Sequence, residues 1–194
     1  MPYHGVKFTT KMIDEEISKD PRIEELKFWC KKFHEKNFAP QYNGGSSGNL
    51  SFRLKDEEDS FVITASGLAM KDGLSDDCFV RVSSVDLEKG IVCAHGKMEP
   101  SSENMLHFAI YRKRKDVNAI FHGHSEEILS NAEKLNTVET REEESYGSIE
   151  LVQSVLEVLG GNYFLVMKNH GFISLGETME DAGKRALDMI SLLV

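Results

Sequence analysis

Long apolar runs are missing from this sequence. No stretch approaches the ~18 consecutive apolar residues that a membrane-crossing helix requires, so no such span is expected. The segment from Met1 to Asp20 has no apolar core and carries several charges, which does not read as a secretory signal; a cytoplasmic protein is expected. Cysteine is scarce, and Cys30, Cys78 and Cys93 show no C-x-x-C spacing. They read as isolated core thiols in a reducing compartment rather than as ligands. Basic charge is also short: 23 Lys and Arg stand against 32 Asp and Glu, for a formal net charge of −9. That argues against a general nucleic-acid binder, whose phosphate contacts need a basic face. The basic run Arg112 to Lys115 reads as a solvated helix end, and the acidic run Glu142 to Glu144 as a surface loop. Internal repeats, low-complexity tracts and long linkers are absent.

What is present is globular. With 194 residues, 40% hydrophobic and 28% charged, the chain fits a single domain over 1–194 with a core of its own. A helix is expected from Pro21 to Asn37, capped by Asp20, with Ile23, Leu26, Cys30 and Phe33 on one face. Gly44 to Gly48 breaks the pattern. Strands follow at Leu50 to Leu54 and Phe61 to Thr64, with Asp56 to Ser60 as a hairpin turn, then at Cys78 to Val82 and Ile91 to Ala94. Further helices are expected at Ser102 to Lys113, Ser125 to Glu133 and Ile149 to Leu159, the last ended by Gly160-Gly161. Strands are expected at Ala119 to His122, Tyr163 to Lys168 and Phe172 to Ser174. A final helix opens with Thr178 and Asp181, close to a capping box, and runs towards Val194. This order suggests an α/β fold of three layers, a mostly antiparallel central sheet flanked by helices.

The chemistry begins at His122-Gly123-His124, which closes the apolar strand from Ala119. Two histidines at i and i+2 on a strand point to one face, and both can reach one ion at about 2.0–2.1 Å. Gly123 between them points away and leaves room. His170 ends a second apolar run, and Glu103 lies upstream on the chain. Three neutral nitrogen ligands with an open fourth position describe a catalytic zinc, although manganese, iron or cobalt also fits. A histidine after a strand is otherwise a hydrogen-bonded core or surface residue. His4, His34, His95 and His107 have no partner at a useful spacing and take that reading; His107, one helical turn after Glu103, takes it least firmly.

Three polar turns recur: Gly48-Asn49, Thr64-Ala65-Ser66-Gly67 and Pro100-Ser101-Ser102-Glu103. Such turns expose backbone N–H groups and hydroxyls, which suits an anionic oxygen cluster. Ser101-Ser102 also sits at an expected helix N-terminus, where the dipole favours phosphate. Singly, each turn is an ordinary turn former or helix cap.

In order, Gly48-Asn49-Leu50-Ser51, Thr64-Ala65-Ser66-Gly67, Pro100-Ser101-Ser102-Glu103, His122-Gly123-His124 and Asn169-His170-Gly171 resemble the class II aldolase/adducin family, from Gly48 to about Met189. The resemblance implies one divalent ion per subunit, zinc first, on His122, His124 and His170. It implies that Gly48, Asn49, Ser66, Gly67, Ser101 and Ser102 bind substrate phosphate, and that Glu103 moves protons beside the metal. It further implies a homotetramer of C4 symmetry with sites between adjacent subunits, acting on a small sugar phosphate.

The activity so implied is cleavage of a ketose 1-phosphate, of the fuculose 1-phosphate type, to dihydroxyacetone phosphate and an aldehyde through a metal-stabilised enediolate. Glu103 favours this branch: the family's pentulose-phosphate epimerases carry aspartate there, and its dehydratases do not resemble Pro-Ser-Ser-Glu. Epimerisation or dehydration of a sugar phosphate is the alternative within the family. A non-catalytic adducin-like assembly module is another, disfavoured by the presence of all three histidines and Glu103. The interval from His124 to His170 is shorter than in the family's aldolases, where it carries a catalytic tyrosine for the aldehyde side. Tyr146 falls in that interval, either as that group or as a loop-anchoring aromatic. A C-terminal tail that could contact substrate is also expected to be missing.

Overall fold

The computed structural model describes residues 8–54 and 59–193. His4, the start of the expected Asp56 to Ser60 turn, and Val194 lie outside them. The elements run β1 (Thr9–Asp14), α1 (Ile23–Glu35), β2 (Gln41–Tyr42), β3 (Gly45–Ser46), β4 (Asn49–Arg53), β5 (Phe61–Thr64), β6 (Phe79–Asp86), β7 (Ile91–His95), α2 (Asn104–Lys113), β8 (Ala119–Gly123), α3 (Glu126–Ser130), β9 (Val138–Glu139), α4 (Ile149–Leu159), β10 (Phe164–Met167), β11 (Gly171–Gly176) and α5 (Met179–Ser191). Nine strands form one sheet in the order β1-β7-β6-β5-β4-β8-β11-β10-β9, and β2 pairs with β3 in a separate hairpin. Only the two outermost pairings of the large sheet, β1 with β7 and β9 with β10, are parallel. The mixed α/β, mostly antiparallel architecture is as expected.

Strand alternation explains the layers. In β5, β8, β10 and β11, the side chains of Val62, Phe121, Val166 and Phe172 join one core with Trp29 and Phe33 of α1 and Ala182 and Ala186 of α5. The alternate residues Phe61, Ile63, Ile120, Leu165 and Ile173 join the opposite core with Ile110 of α2 and Val155 of α4. Successive strand residues point to opposite faces, so one apolar run serves two helical layers.

β4 is the exception that prepares the site. Leu50 and Phe52 enter the first core, whereas Asn49, Ser51 and Arg53 point towards α2 and are buried. Ser51 Oγ hydrogen-bonds His107 Nδ1 at 2.7 Å and Tyr111 Oη at 2.8 Å. The Arg53 guanidinium donates to the carbonyls of Tyr111, Arg114 and Val117, satisfying acceptors at the end of α2.

Several boundaries differ from expectation. α1 starts at Ile23 with no side-chain cap; the Asp20 carboxylate instead accepts the Arg22 N–H at 2.9 Å and pairs with its guanidinium. α2 starts at Asn104, because the Asn104 N–H and side-chain amide both donate to Ser101 O. α3 stops at Ser130, where the Asn131 side chain takes the Glu127 carbonyl. α5 opens with the expected Thr178–Asp181 capping box. β1, β2, β3 and β9 have no counterpart in the sequence reading.

Candidate active site

The sheet centre brings the candidate residues together. His122 follows Ile120 by two residues, so its ring points to the α2 side of β8. In register it lies between Asn49 of β4 and Ile173 of β11. His124 continues past the strand end, its N–H held by Phe38 O at 2.8 Å. His170 sits at the corner of the β10–β11 hairpin, after Asn169 in the left-handed region (φ 54°). Asparagine tolerates that conformation. Glu103 stands at the N-cap position of α2 but caps nothing with its side chain. Its carboxylate turns to the histidines instead.

The donor atoms of His122, His124 and His170 all lie within 4.8 Å of one another. His122 Nε2 and His124 Nε2 are 3.0 Å apart. Ligand bonds of 2.0–2.1 Å at tetrahedral angles place nitrogens about 3.3 Å apart, so small side-chain shifts suffice to hold an ion. His122 Nδ1 donates to Phe172 O at 2.9 Å. That fixes the tautomer and leaves the Nε2 lone pair facing the other rings. Burial pushes His122 and His124 towards the neutral form, His124 strongly. Neutral imidazoles with converging lone pairs are a donor set suited to a divalent cation.

Glu103 is 3% exposed and completes the cluster. Its Oε2 accepts from Asn49 Nδ2 at 2.8 Å and lies 3.1 Å from His122 Nε2. Its Oε1 lies 3.1 Å from His170 Nε2, an ion-pair distance without hydrogen-bond alignment. Burial opposes ionising Glu103. The imidazoles of His122 and His170 and the Asn49 amide outweigh it and hold the carboxyl well below its usual range. For His170, burial is likewise outweighed by Glu103, which raises the imidazole's affinity for a proton.

Two glycines set the spacing. A Cβ on Gly171 would stand 2.5 Å from Gly123 O and 2.7 Å from His122 Cε1, so only glycine lets the hairpin close on β8. Gly123 faces away from the ion site, as expected, but its service is to the core. A Cβ there would meet the Phe172 ring at 2.6 Å.

One cavity of about 330 Å³ opens over the cluster. Gly48, Asn49, Ser66, Gly67, Ser101, Ser102, Glu103, His124 and His170 all line it, and buried His122 supports its floor through Glu103 and His124. The turns expose fewer backbone donors than expected. Ser66 N–H is used by Glu99 O and Ser101 N–H by Thr64 O, so these bonds lock two turns side by side. Among the described residues the Gly67 and Ser102 N–H groups have no such partner. Ser101-Ser102 also lies just before α2 rather than in its first turn.

Seven lining residues escaped the site assignment from sequence: Tyr42, Ser46, Ser47, Ala65, Glu143, Glu144 and Asn169, with Ala65 and Asn169 named there only within motifs. The surface loop of Glu142 to Glu144 thus also forms part of the cavity wall. Tyr146, which had no fixed place, is in the same wall.

His107 is outside the metal cluster. It is buried, its Nδ1 is taken by Ser51, and burial pushes its pKa down to about 3. His95 bonds Asp14 and Ser83 and is likewise structural. Cys30 is buried, Cys78 and Cys93 are half-buried, all three are free, and none joins the cluster. No helix among the described residues is long and apolar enough to cross a membrane.

Residues 29–193 match the model of a family described as "Class II Aldolase and Adducin N-terminal domain". The chain is similar to an L-fuculose phosphate aldolase of Methanocaldococcus jannaschii, 30% identical over 79% of this chain and 83% of that one. A methylthioribulose-1-phosphate dehydratase of Bacillus cereus is 27% identical over 80% of this chain and 79% of its own length. Among solved structures, an L-fuculose 1-phosphate aldolase shares the fold with a TM-score of 0.74, at 22% identity, over 91% of this chain and 85% of that one.

Proposed function

Because the chain belongs to the class II aldolase and adducin family, we propose that it is a metal-dependent aldolase. It cleaves a ketose 1-phosphate, of the L-fuculose 1-phosphate type, to dihydroxyacetone phosphate and an aldehyde. The observation that carries this reading is the meeting of His122, His124 and His170 with Glu103 at a cavity whose wall also includes Ser66, Gly67, Ser101 and Ser102. A divalent ion, zinc first, held by the three histidines would polarise the substrate carbonyl and the adjacent hydroxyl.

The chain's own groups do the rest. The hydroxyls of Ser66, Ser101 and Ser102, the N–H groups of Gly67 and Ser102, and the Gly48-Asn49 turn hold the phosphate and so fix the reacting carbons against the cluster. Glu103 takes a proton from the carbon beside the carbonyl in the synthetic direction and returns it to that carbon after cleavage. Its ionised state suits the abstraction; in cleavage the proton it hands to the carbon must first reach it from solvent. Tyr146 accepts or gives the hydroxyl proton on the aldehyde side. The assembly is a homotetramer whose sites lie between neighbouring subunits.

Dehydration is the second reading. The Bacillus cereus relative's name favours it, and the same proton abstraction by Glu103 can precede loss of water. The products separate the two. Proton NMR of the metal-loaded protein with L-fuculose 1-phosphate and with 5-methylthioribulose 1-phosphate should show dihydroxyacetone phosphate and an aldehyde. An intact carbon chain that has lost water would support the dehydratase instead.

A further inference from the structure

Lys71 is the most deeply buried cation among the described residues, at 2% exposure, and none of the chemistry above uses it. Its ammonium has three donors but makes one hydrogen bond, to Ser46 Oγ at 3.1 Å. No carboxylate among the described residues pairs with it. Its titratable neighbours are the thiols of Cys30 and Cys78 and the imidazoles of His122 and His124; burial pushes the Cys30 thiol up to about 12, which keeps it neutral, and none of the four offers the ammonium a negative charge. The buried Arg53 differs, since its guanidinium is spread over three carbonyls. A buried ammonium with one neutral partner is costly to stability, and such groups persist where they serve a ligand.

The position of the ammonium identifies that ligand. Ser46 Oγ donates onward to Leu68 O at 2.7 Å, tying the β2–β3 hairpin to the Ser66-Gly67 turn. The two segments are in close contact: a Cβ on Gly45 would stand 3.4 Å from the Gly67 α-carbon. Lys71 Nζ therefore lies at the seam behind the wall formed by Ser46, Gly48, Ser66 and Gly67. Among the described residues the cavity lining holds three carboxylates, Glu103, Glu143 and Glu144, and neither lysine nor arginine. A phosphate dianion entering there meets hydroxyls and amides but no positive side chain at the phosphate end.

We propose that Lys71 is a positioning residue for the substrate phosphate, its ammonium supplying from behind Ser46 the positive charge that the cavity lining lacks. The inference rests on the serine- and glycine-rich turns being the phosphate cradle. Attraction across a few ångströms of low-dielectric wall is felt by a dianion without direct contact.

Calorimetric titration of inorganic phosphate into the metal-loaded protein tests this, with thermal unfolding measured alongside. Lys71→Met should bind phosphate about tenfold or more weakly and unfold at a higher temperature, since the unpaired charge is gone. Lys71→Gln, which keeps a donor for Ser46 without the charge, should show the same loss of affinity. In turnover of a ketose 1-phosphate, the Lys71→Met variant should raise KM and leave kcat nearly unchanged. Wild-type phosphate affinity in both Lys71 variants overturns the proposal. If Ser102→Ala weakens phosphate binding while the Lys71 variants do not, the cradle stands and Lys71 has no part in it. If the wild-type protein binds no phosphate, the cradle and the role of Lys71 fall together.

Discussion

Replacing His107 by asparagine should flatten the acid side of the stability profile. His107 is fully buried on α2, with Nδ1 on Ser51 and Nε2 without a hydrogen-bond partner among the described residues. Burial lowers its pKa from 6.5 to about 3. The unfolded chain therefore binds the proton more readily than the folded one between these values. Stability from this group is complete above about pH 6.5 and falls as the pH drops towards 3. At pH 5 the loss from this one group is about 2 kcal/mol. Asparagine keeps a polar contact for Ser51 but cannot take the proton. Urea unfolding of both metal-free proteins at pH 7.5 and pH 5 measures the effect. The wild type should lose about 2 kcal/mol more than the variant over that interval, and acid-sensitive groups common to both proteins cancel in the comparison. Equal losses would refute the assignment of His107 as a buried neutral imidazole.

Other outcomes follow from particular contacts. Glu103→Gln should retain metal and lower cleavage by roughly 10²- to 10⁴-fold, read from kcat in a coupled dihydroxyacetone phosphate assay. Arg53→Met strands the carbonyls of Tyr111 and Val117, while Arg114 O keeps the Val117 N–H, and should destabilise by about 3 kcal/mol in urea unfolding. Gly171→Ala drives a methyl into Gly123 O and the His122 ring. It should weaken zinc binding by about tenfold or more, measured by competition with a chelator.

The parts of this protein that could be read from its sequence share a physical property: their signal is local. The helix expected at Ile149 to Leu159 is α4 itself, since its apolar repeat, Ser148 cap and Gly160 stop lie within one short window. The thin edge strands are different. β1 reads Thr-Thr-Lys-Met-Ile-Asp and is exposed along most of its length, so it carries no alternating pattern; it exists because β7 offers it an edge. β9 has two residues and depends wholly on β10. In the site, His122 and His124 are legible because strand periodicity puts both on one face. Tyr42, Glu143 and Glu144 are not, because the packing of the β2–β3 hairpin and of a loop distant in sequence brings them to the cavity. Lys71 is least legible of all. Lysine is almost never fully buried, and only the packing of the β2–β3 hairpin against the Ser66-Gly67 turn encloses it.

The central claim is that His122, His124 and His170 hold a divalent ion on which aldol cleavage depends. The most direct test is metal content measured together with dihydroxyacetone phosphate release from L-fuculose 1-phosphate, before and after EDTA and in His124→Ala. The wild type should hold about one ion per chain, lose activity with EDTA and regain it on adding zinc or manganese, and His124→Ala should lose both metal and activity. A protein without stoichiometric metal whose activity is indifferent to EDTA, or a His124→Ala variant that binds metal normally, would contradict the claim.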